Sequence, residues 1–283
     1  MPVIIAIASQ VARGHVGNGA TVFALERMGF EVWPVPTVLL PYHPGHGPGT
    51  RIVTPSDAFG ALLDDLARHP QLGEVVGVLS GYLGDAGQAP AIARLVGAVK
   101  AANPKALFVC DPVMGDDGSL YVNEALAASI RDHLVPLADT ITPNRFELSW
   151  LMERDCGDNG ALGGAAKDWI AGRAHRAVHV TSAFQLMRNH AGILAVTHGT
   201  TLLAEAPAVP QPPHGLGDLY AALQLAHTLK GLPLVDVLRK SAASVHDMAL
   251  QTARLGRDEM PLAVEQHRLL QSSVVVQMRT LAQ

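Results

Sequence analysis

The chain of 283 residues predicts an α/β protein, with a mostly parallel central sheet flanked by helices on both faces. Three observations carry that expectation. Strand-like runs alternate with helical segments of about ten residues through most of the sequence. Several runs, at 3–8, 75–79 and 106–110, are nearly continuous in aliphatic residues, as strands buried on both faces are. The composition, 48% hydrophobic but only 5% aromatic, supplies a core of Val, Leu, Ile and Ala.

Taken in order, 3–8 reads as the first strand and 19–27 as a helix with Val22, Leu25 and Met28 on one side. A second strand follows at 31–38, with Val32, Trp33 and Val35. Residues 41–55 are dense in Pro, Gly and His and read as a loop of uncommon length. A helix at 58–67, a strand at 75–79 and a helix at 91–102 come next. The strand at 106–110 is ended by Asp111-Pro112, and a helix near 124–133 follows. Short strands at 140–142 and 178–181 come after it, the first stopped by Pro143. Residues 193–196 and 201–204 flank Thr197-His198-Gly199-Thr200 and read as a hairpin. From Gly217 onward the chain reads as mostly helical, with 274–276 as a candidate edge strand. No internal repeat or linker interrupts this order, so 1–283 is expected to be a single domain.

Composition narrows the function. A net charge of −4 without any dense block of Lys or Arg argues against a nucleic-acid partner. No apolar stretch approaches the ~20 residues that span a bilayer, so no membrane partner is expected. The first residues lack a basic segment and soon meet Ser9-Gln10, which reads as a strand and not a signal peptide. Cys110 and Cys156 form neither a disulfide framework nor a Cys-x-x-Cys pair, which points to a cytoplasmic location.

The strongest local signal is Pro212-Pro213-His214-Gly215-Leu216-Gly217-Asp218, directly before a helical pattern. Glycines let backbone amides approach an anion, and a helix N-terminus adds the positive end of its dipole. An Asp at a helix start is also an ordinary cap, and Gly-x-Gly-Asp alone proves little. Other polar clusters fall where an α/β sheet places its sites, beyond the C-terminal ends of strands. They are Ser9-Gln10, Ser80-Gly81-Tyr82-Leu83-Gly84, Asp111 to Asp116, Thr142-Pro143-Asn144-Arg145-Phe146-Glu147, and Thr181-Ser182. Any one of them could be a turn. Five on one rim point to a site.

With Gly14-His15-Val16-Gly17-Asn18, Glu31-Val32-Trp33-Pro34 and Val99-Lys100-Ala101-Ala102-Asn103-Pro104, these motifs make an ordered set that resembles the pyridoxal kinases of the ribokinase-like superfamily. The resemblance covers nearly the whole chain. It implies a three-layer ribokinase-like fold and ATP-dependent phosphorylation of the 5'-hydroxymethyl group of pyridoxal. In that reading Asp218 is the catalytic base, and the amides of Gly215, Leu216 and Gly217 form an anion hole for the transferred phosphoryl group. Asp111, Asp116, Thr142, Asn144, Glu147, Thr181 and Ser182 match nucleotide-side positions, with Asp111 and Glu147 near Mg²⁺, partly through water. Ser9, Val16, His43, Pro44, Tyr82 and Asp218 match the substrate side. ATP and Mg²⁺ are the implied cofactors, K⁺ is a further candidate, and a homodimer is implied.

The chain departs from the family pattern in the long loop, where Pro44 stands in place of the usual Thr and no tryptophan follows, and at Leu216, where a small or β-branched residue is usual. Pro44 carries no hydroxyl and no amide hydrogen. The histidines of the 41–50 loop have no Cys or helical His-x-x-x-His pair and read as solvated. Two other readings remain open: a hydroxymethylpyrimidine-type kinase, and a catalytically weakened protein that binds a B6 vitamer. Hydroxymethylpyrimidine kinases usually carry Cys where Asp218 stands, and sugar kinases an extra Asp where Pro210, Pro212 and Pro213 lie; both differences favour the pyridoxal branch.

Overall fold

The computed structural model describes residues 1–116, 118–172 and 176–281. Its strands are β1 (Val3–Val11), β2 (Glu31–Leu40), β3 (Ile52–Val53), β4 (Val75–Ser80), β5 (Leu107–Cys110), β6 (Gly115–Asp116), β7 (Ser119–Leu120), β8 (Thr140–Ile141), β9 (Ala177–Ala183), β10 (His190–Val196), β11 (Thr201–Pro207) and β12 (Gln277–Thr280). Its helices are α1 (Asn18–Arg27), α2 (Ser56–Ala67), α3 (Gln88–Ala102), α4 (Glu124–His133), α5 (Arg145–Leu151), α6 (Asn159–Ile170), α7 (Leu216–Leu229) and α8 (Leu234–Arg254).

The described residues form a ten-stranded sheet in the order β12-β11-β10-β9-β8-β5-β4-β1-β2-β3, and β6 pairs with β7 apart from it. From β9 to β2 neighbouring strands run parallel, while β10, β11, β12 and β3 are antiparallel. Alternate side chains of β1 bury on opposite faces. Val3, Ile5 and Ile7 join a core with Phe59 of α2, Ile92 of α3 and Leu162 of α6. Ile4 and Ala6 join one with Leu25 of α1, Leu223 of α7 and Leu238 of α8. This is the predicted three-layer α/β architecture, and none of its helices is long and apolar enough to cross a membrane among the described residues.

The chain moves from β1 to β2 on one side, then returns to place β4 on the other side of β1. Connections before and after that reversal, α1 and α2, lie on opposite faces. A crevice therefore opens beyond the C-terminal ends of β1 and β4, the place where α/β sheets bind ligands.

Several boundaries differ from the sequence reading. Ser9 and Gln10 lie inside β1, not beyond it, at a register slip against β2 between Ala8 and Gln10. Helices α5 and α6 were not expected. The Asn159-Gly-Ala-Leu-Gly-Gly stretch has weak helix propensity, and burial of Leu162, Ala165, Ala166 and Ile170 stabilises the helix instead. The 41–55 loop contains a single turn at Pro44–His46 and the short β3. The edge strand falls at Gln277–Thr280 and not at 274–276. Buried Asp247 of α8 explains the shift: its Oδ2 accepts the Ser273 amide at 2.8 Å and the Ser272 hydroxyl at 3.1 Å, holding the chain away from the sheet edge. Beyond it, Arg279 Nε reaches the buried Glu205 carboxylate of β11 at 3.2 Å and pins the register.

Candidate active site

Asp218 occupies the third position of α7, one turn from its N-cap Gly215. Gly215 has φ 87°, and a Cβ there would run into the carbonyl oxygen of His15. Both constraints require glycine. Gly17 carries the same signature: φ is 53°, and a Cβ would collide with the carbonyl and hydroxyl of Ser9. Two glycines thus let the end of β1, the 12–17 loop and the start of α7 press together. The result is a hydrogen bond from the Gly17 amide to Asp218 Oδ2 at 2.9 Å.

The Asp218 carboxyl lines a narrow cleft with Ala8, Thr21, Leu79, Gly81 and Asp111. Burial pushes this carboxyl up to about 6, against the Gly17 amide, which lowers it. Asp111, 7% exposed, is held well above the ordinary carboxylate range by burial and then by the charges of Glu147 and Asp218, although the Thr142 hydroxyl donates to its Oδ1 at 2.8 Å. Burial likewise raises Glu147 to about 7, opposed by three backbone amides.

Asn144 and Glu147 close a capping box at the start of α5. Asn144 Oδ1 accepts the Glu147 amide and Glu147 Oε2 accepts the Asn144 amide, each at 2.8 Å. Glu147 Oε1 accepts the Met114 amide at 2.9 Å, and Asn144 Nδ2 donates to the Gly115 carbonyl at 2.7 Å. This ties the segment after β5 to the one after β8, so Asp111, Thr142, Asn144 and Glu147 form one cluster. A neighbouring divalent cation would relieve the mutual repulsion of its carboxyls. No three of the described His, Cys, Asp or Glu residues are grouped to cage a metal, and the amide bonds already occupy both Glu147 oxygens. Asp111 and Glu147 are the carboxylates of this cluster that could contribute to a bound divalent ion.

Other expected residues lie along the same rim. Asp116 is exposed in the β6–β7 hairpin, and its charge raises Glu147. Thr181 and Ser182 are within β9; the Thr181 amide donates to Pro143 O, and Ser182 Oγ accepts the Arg145 amide, each at 3.0 Å. Leu216 packs partly against the α1–α7–α8 core, leaving its amide in the α7 N-terminal turn. On the other side of Asp218, Ser9 touches Gly17 and buried Val16 approaches Gly215. Tyr82 O accepts the Thr37 hydroxyl at 2.7 Å, and Arg51 Nη2 reaches the Tyr82 hydroxyl at 3.3 Å. Pro44 is exposed at the first position of the loop turn, where a missing amide hydrogen costs nothing.

The loop histidines are not simply solvated. His43 stacks on His214 with centroids 3.7 Å apart, and His46 Nε2 lies 2.8 Å from Glu259 Oε1. The sequence also gave no role to Tyr121, 57% exposed and near enough to the rim for the charges of Glu147, Asp111, Asp218 and Asp116 to act on its phenol. Spacing carries no signal for such residues.

The family model described as phosphomethylpyrimidine kinase matches residues 74–263. The chain is 39% identical to pyridoxal kinase PdxY of Rubrobacter xylanophilus, over 99% of this chain and 97% of that protein. It is 37% identical to pyridoxal kinase PdxY of Granulibacter bethesdensis, over 91% of this chain and 92% of that one. The pyridoxal kinase of Leishmania donovani, solved in complex with ADP and pyridoxamine, superposes with a TM-score of 0.89 at 27% identity, covering 100% of both chains. With the three-layer fold and the carboxylate rim, these likenesses establish that the chain is a kinase and belongs to the pyridoxal kinase family of the ribokinase-like superfamily.

Proposed function

We propose that this kinase transfers the γ-phosphoryl group of ATP to the 5'-hydroxymethyl oxygen of pyridoxal, and that Asp218 is the base. The observation that carries this reading is the Asp218 carboxyl, raised to about 6 at the N-terminus of α7 and aimed by the Gly17 amide. A base with such a pKa is ionised at neutral pH yet accepts a proton readily. The hydroxymethyl proton passes to Asp218 as the oxygen bonds to the γ-phosphorus. The bond to the β–γ bridging oxygen breaks, and ADP leaves. The amides of Gly215, Leu216 and Gly217 face the charge that develops on the phosphoryl oxygens.

Asp111, Asp116, Thr142, Asn144, Glu147, Thr181 and Ser182 take the nucleotide side in this reading. Asp111 and Glu147 would hold Mg²⁺, which supplies charge neutralisation to the phosphates when bound. Ser9, Val16, His43, Pro44 and Tyr82 take the pyridine side, with Tyr82 and Val16 as walls for a flat ring. The proposal extends to a single domain over 1–283, supported by one sheet that takes strands from both ends of the chain, and to a cytoplasmic homodimer.

The phosphomethylpyrimidine kinase description of the matching family model favours a second reading, a hydroxymethylpyrimidine as acceptor. Assay of the purified protein with Mg²⁺-ATP against pyridoxal, pyridoxine, pyridoxamine and hydroxymethylpyrimidine separates the two. Pyridoxal is expected to give the highest kcat/KM. Preference for the pyrimidine would overturn the substrate, and vitamer binding without ADP formation would overturn the phosphoryl transfer.

A further inference from the structure

The 41–50 loop and the turn before Asp218 meet in a cluster of three histidines, of which only His43 has a role above. The stacked rings of His43 and His214 are inclined by 24°, and His46 stands edge-on to both, at 86° and 89°. His43 Nδ1 accepts the Gly45 amide at 3.0 Å, which leaves that nitrogen without a proton and the ring neutral. A Cβ at Gly45 would strike both His43 and His214, so the loop backbone lies flush against the stack. His46 anchors the loop a second time, on Glu259, which also accepts the His15 amide at 3.3 Å and lies 3.6 Å from Arg13 Nη1. Arg13 in turn pairs with Asp258 at 2.6 Å.

This geometry has a direction. His214 precedes Gly215, the left-handed residue that starts α7 and sets the amides facing the phosphoryl group. His43 lies in the loop assigned to the pyridine side. We infer that His214 is a positioning residue: by stacking on His43 it latches the 41–50 loop to the phosphoryl-transfer turn, so that closure over the vitamer and alignment of the Gly215 turn occur together. The inference rests on the substrate reading above for its kinetic consequence, but the stack of His43 on His214 does not. Burial with His214 and His46 lowers His43 to about 4, so its ring is neutral when stacked at physiological pH.

The test compares the wild type with His214→Ala, which removes the ring, and His214→Phe, which keeps a flat ring. Amide hydrogen exchange is measured over residues 41–50 without ligands, beside kcat and the KM values for pyridoxal and ATP. His214→Ala should speed exchange across the loop and raise the pyridoxal KM about 3- to 10-fold, the range of an aromatic pair. The ATP KM should stay within about twofold, and His214→Phe should restore both loop exchange and pyridoxal KM. Unchanged loop exchange in His214→Ala would overturn the latch, as would a failure of His214→Phe to rescue. Equal increases in both KM values would also overturn it, because they mark a general loss of structure. If the loop responds as expected but pyridoxal is not phosphorylated, the substrate reading falls and the latch stands.

Discussion

The Gly17 amide and the Asp218 carboxylate, 201 residues apart in sequence, are joined by a 2.9 Å hydrogen bond. That bond fixes where Asp218 Oδ2 points. Oδ1 is left facing the cleft beside Gly81, with 3.7 Å to the position a Cβ would take there. Asp218→Asn keeps the shape and the acceptor oxygen but removes the proposed base. Turnover is expected to fall about 10²- to 10⁴-fold, with ATP affinity by calorimetry within a few-fold of wild type. Near-normal turnover would show that another group takes the proton.

The raised Asp218 carboxyl sets the sign of two pH effects. The kcat/KM profile of the wild type should rise with pH through a limb near 6, where the Asp218 carboxyl proposed as base ionises. For stability the folded state holds this proton more tightly than the unfolded chain does, so the contribution is present at low pH and is lost as pH rises from 3.8 through about 6. Asp218→Asn should therefore be more stable than wild type at pH 7.5, by about 3 kcal/mol at most, with the difference vanishing near pH 4. Ligand-free melting curves at the two pH values check this, and a gap of equal size at both would refute it.

Gly215 and Gly217 should respond in opposite ways to alanine. At Gly215 the left-handed φ and the His15 carbonyl oppose any side chain, so Gly215→Ala should lose about 1–3 kcal/mol and most activity. Gly217 lies in α7 with open space around its Cβ position. Gly217→Ala should gain about 0.4–1 kcal/mol, because alanine favours the helix. Its methyl would enter space that the phosphoryl group is proposed to use, so activity should drop despite the higher Tm.

Asn144→Ala breaks the capping box and the bond to Gly115. A cap lost in this way costs about 1 kcal/mol, visible in urea unfolding. Because Asn144 also ties together the segments that carry Asp111 and Glu147, the KM for Mg²⁺-ATP should rise while that for pyridoxal changes little. A rise confined to pyridoxal would place Asn144 on the wrong side of the site.

The alternation of strands and helices and the positions along the rim can be read from the chain's local patterns. Both are local. A buried parallel strand must be a short aliphatic run, and the polar residue that follows it falls at the strand's C-terminal end, as Ser80 and Asp111 do. Asp218 was legible for the same reason, since Gly-x-Gly before an amphipathic helix announces a helix N-terminus. What those residues meet depends on long-range packing. Helix α6 exists through burial and not propensity, and the β12 register depends on Asp247 and Glu205, far away in sequence. The approach of Gly17 to Asp218 and the stack of His43 on His214 depend on glycines that tolerate backbone contact, whose partners no spacing rule identifies. Strand position follows from local pattern. The aim of Asp218 follows only from the sheet reversing direction at β1 and β4, which brings distant loops within hydrogen-bond reach.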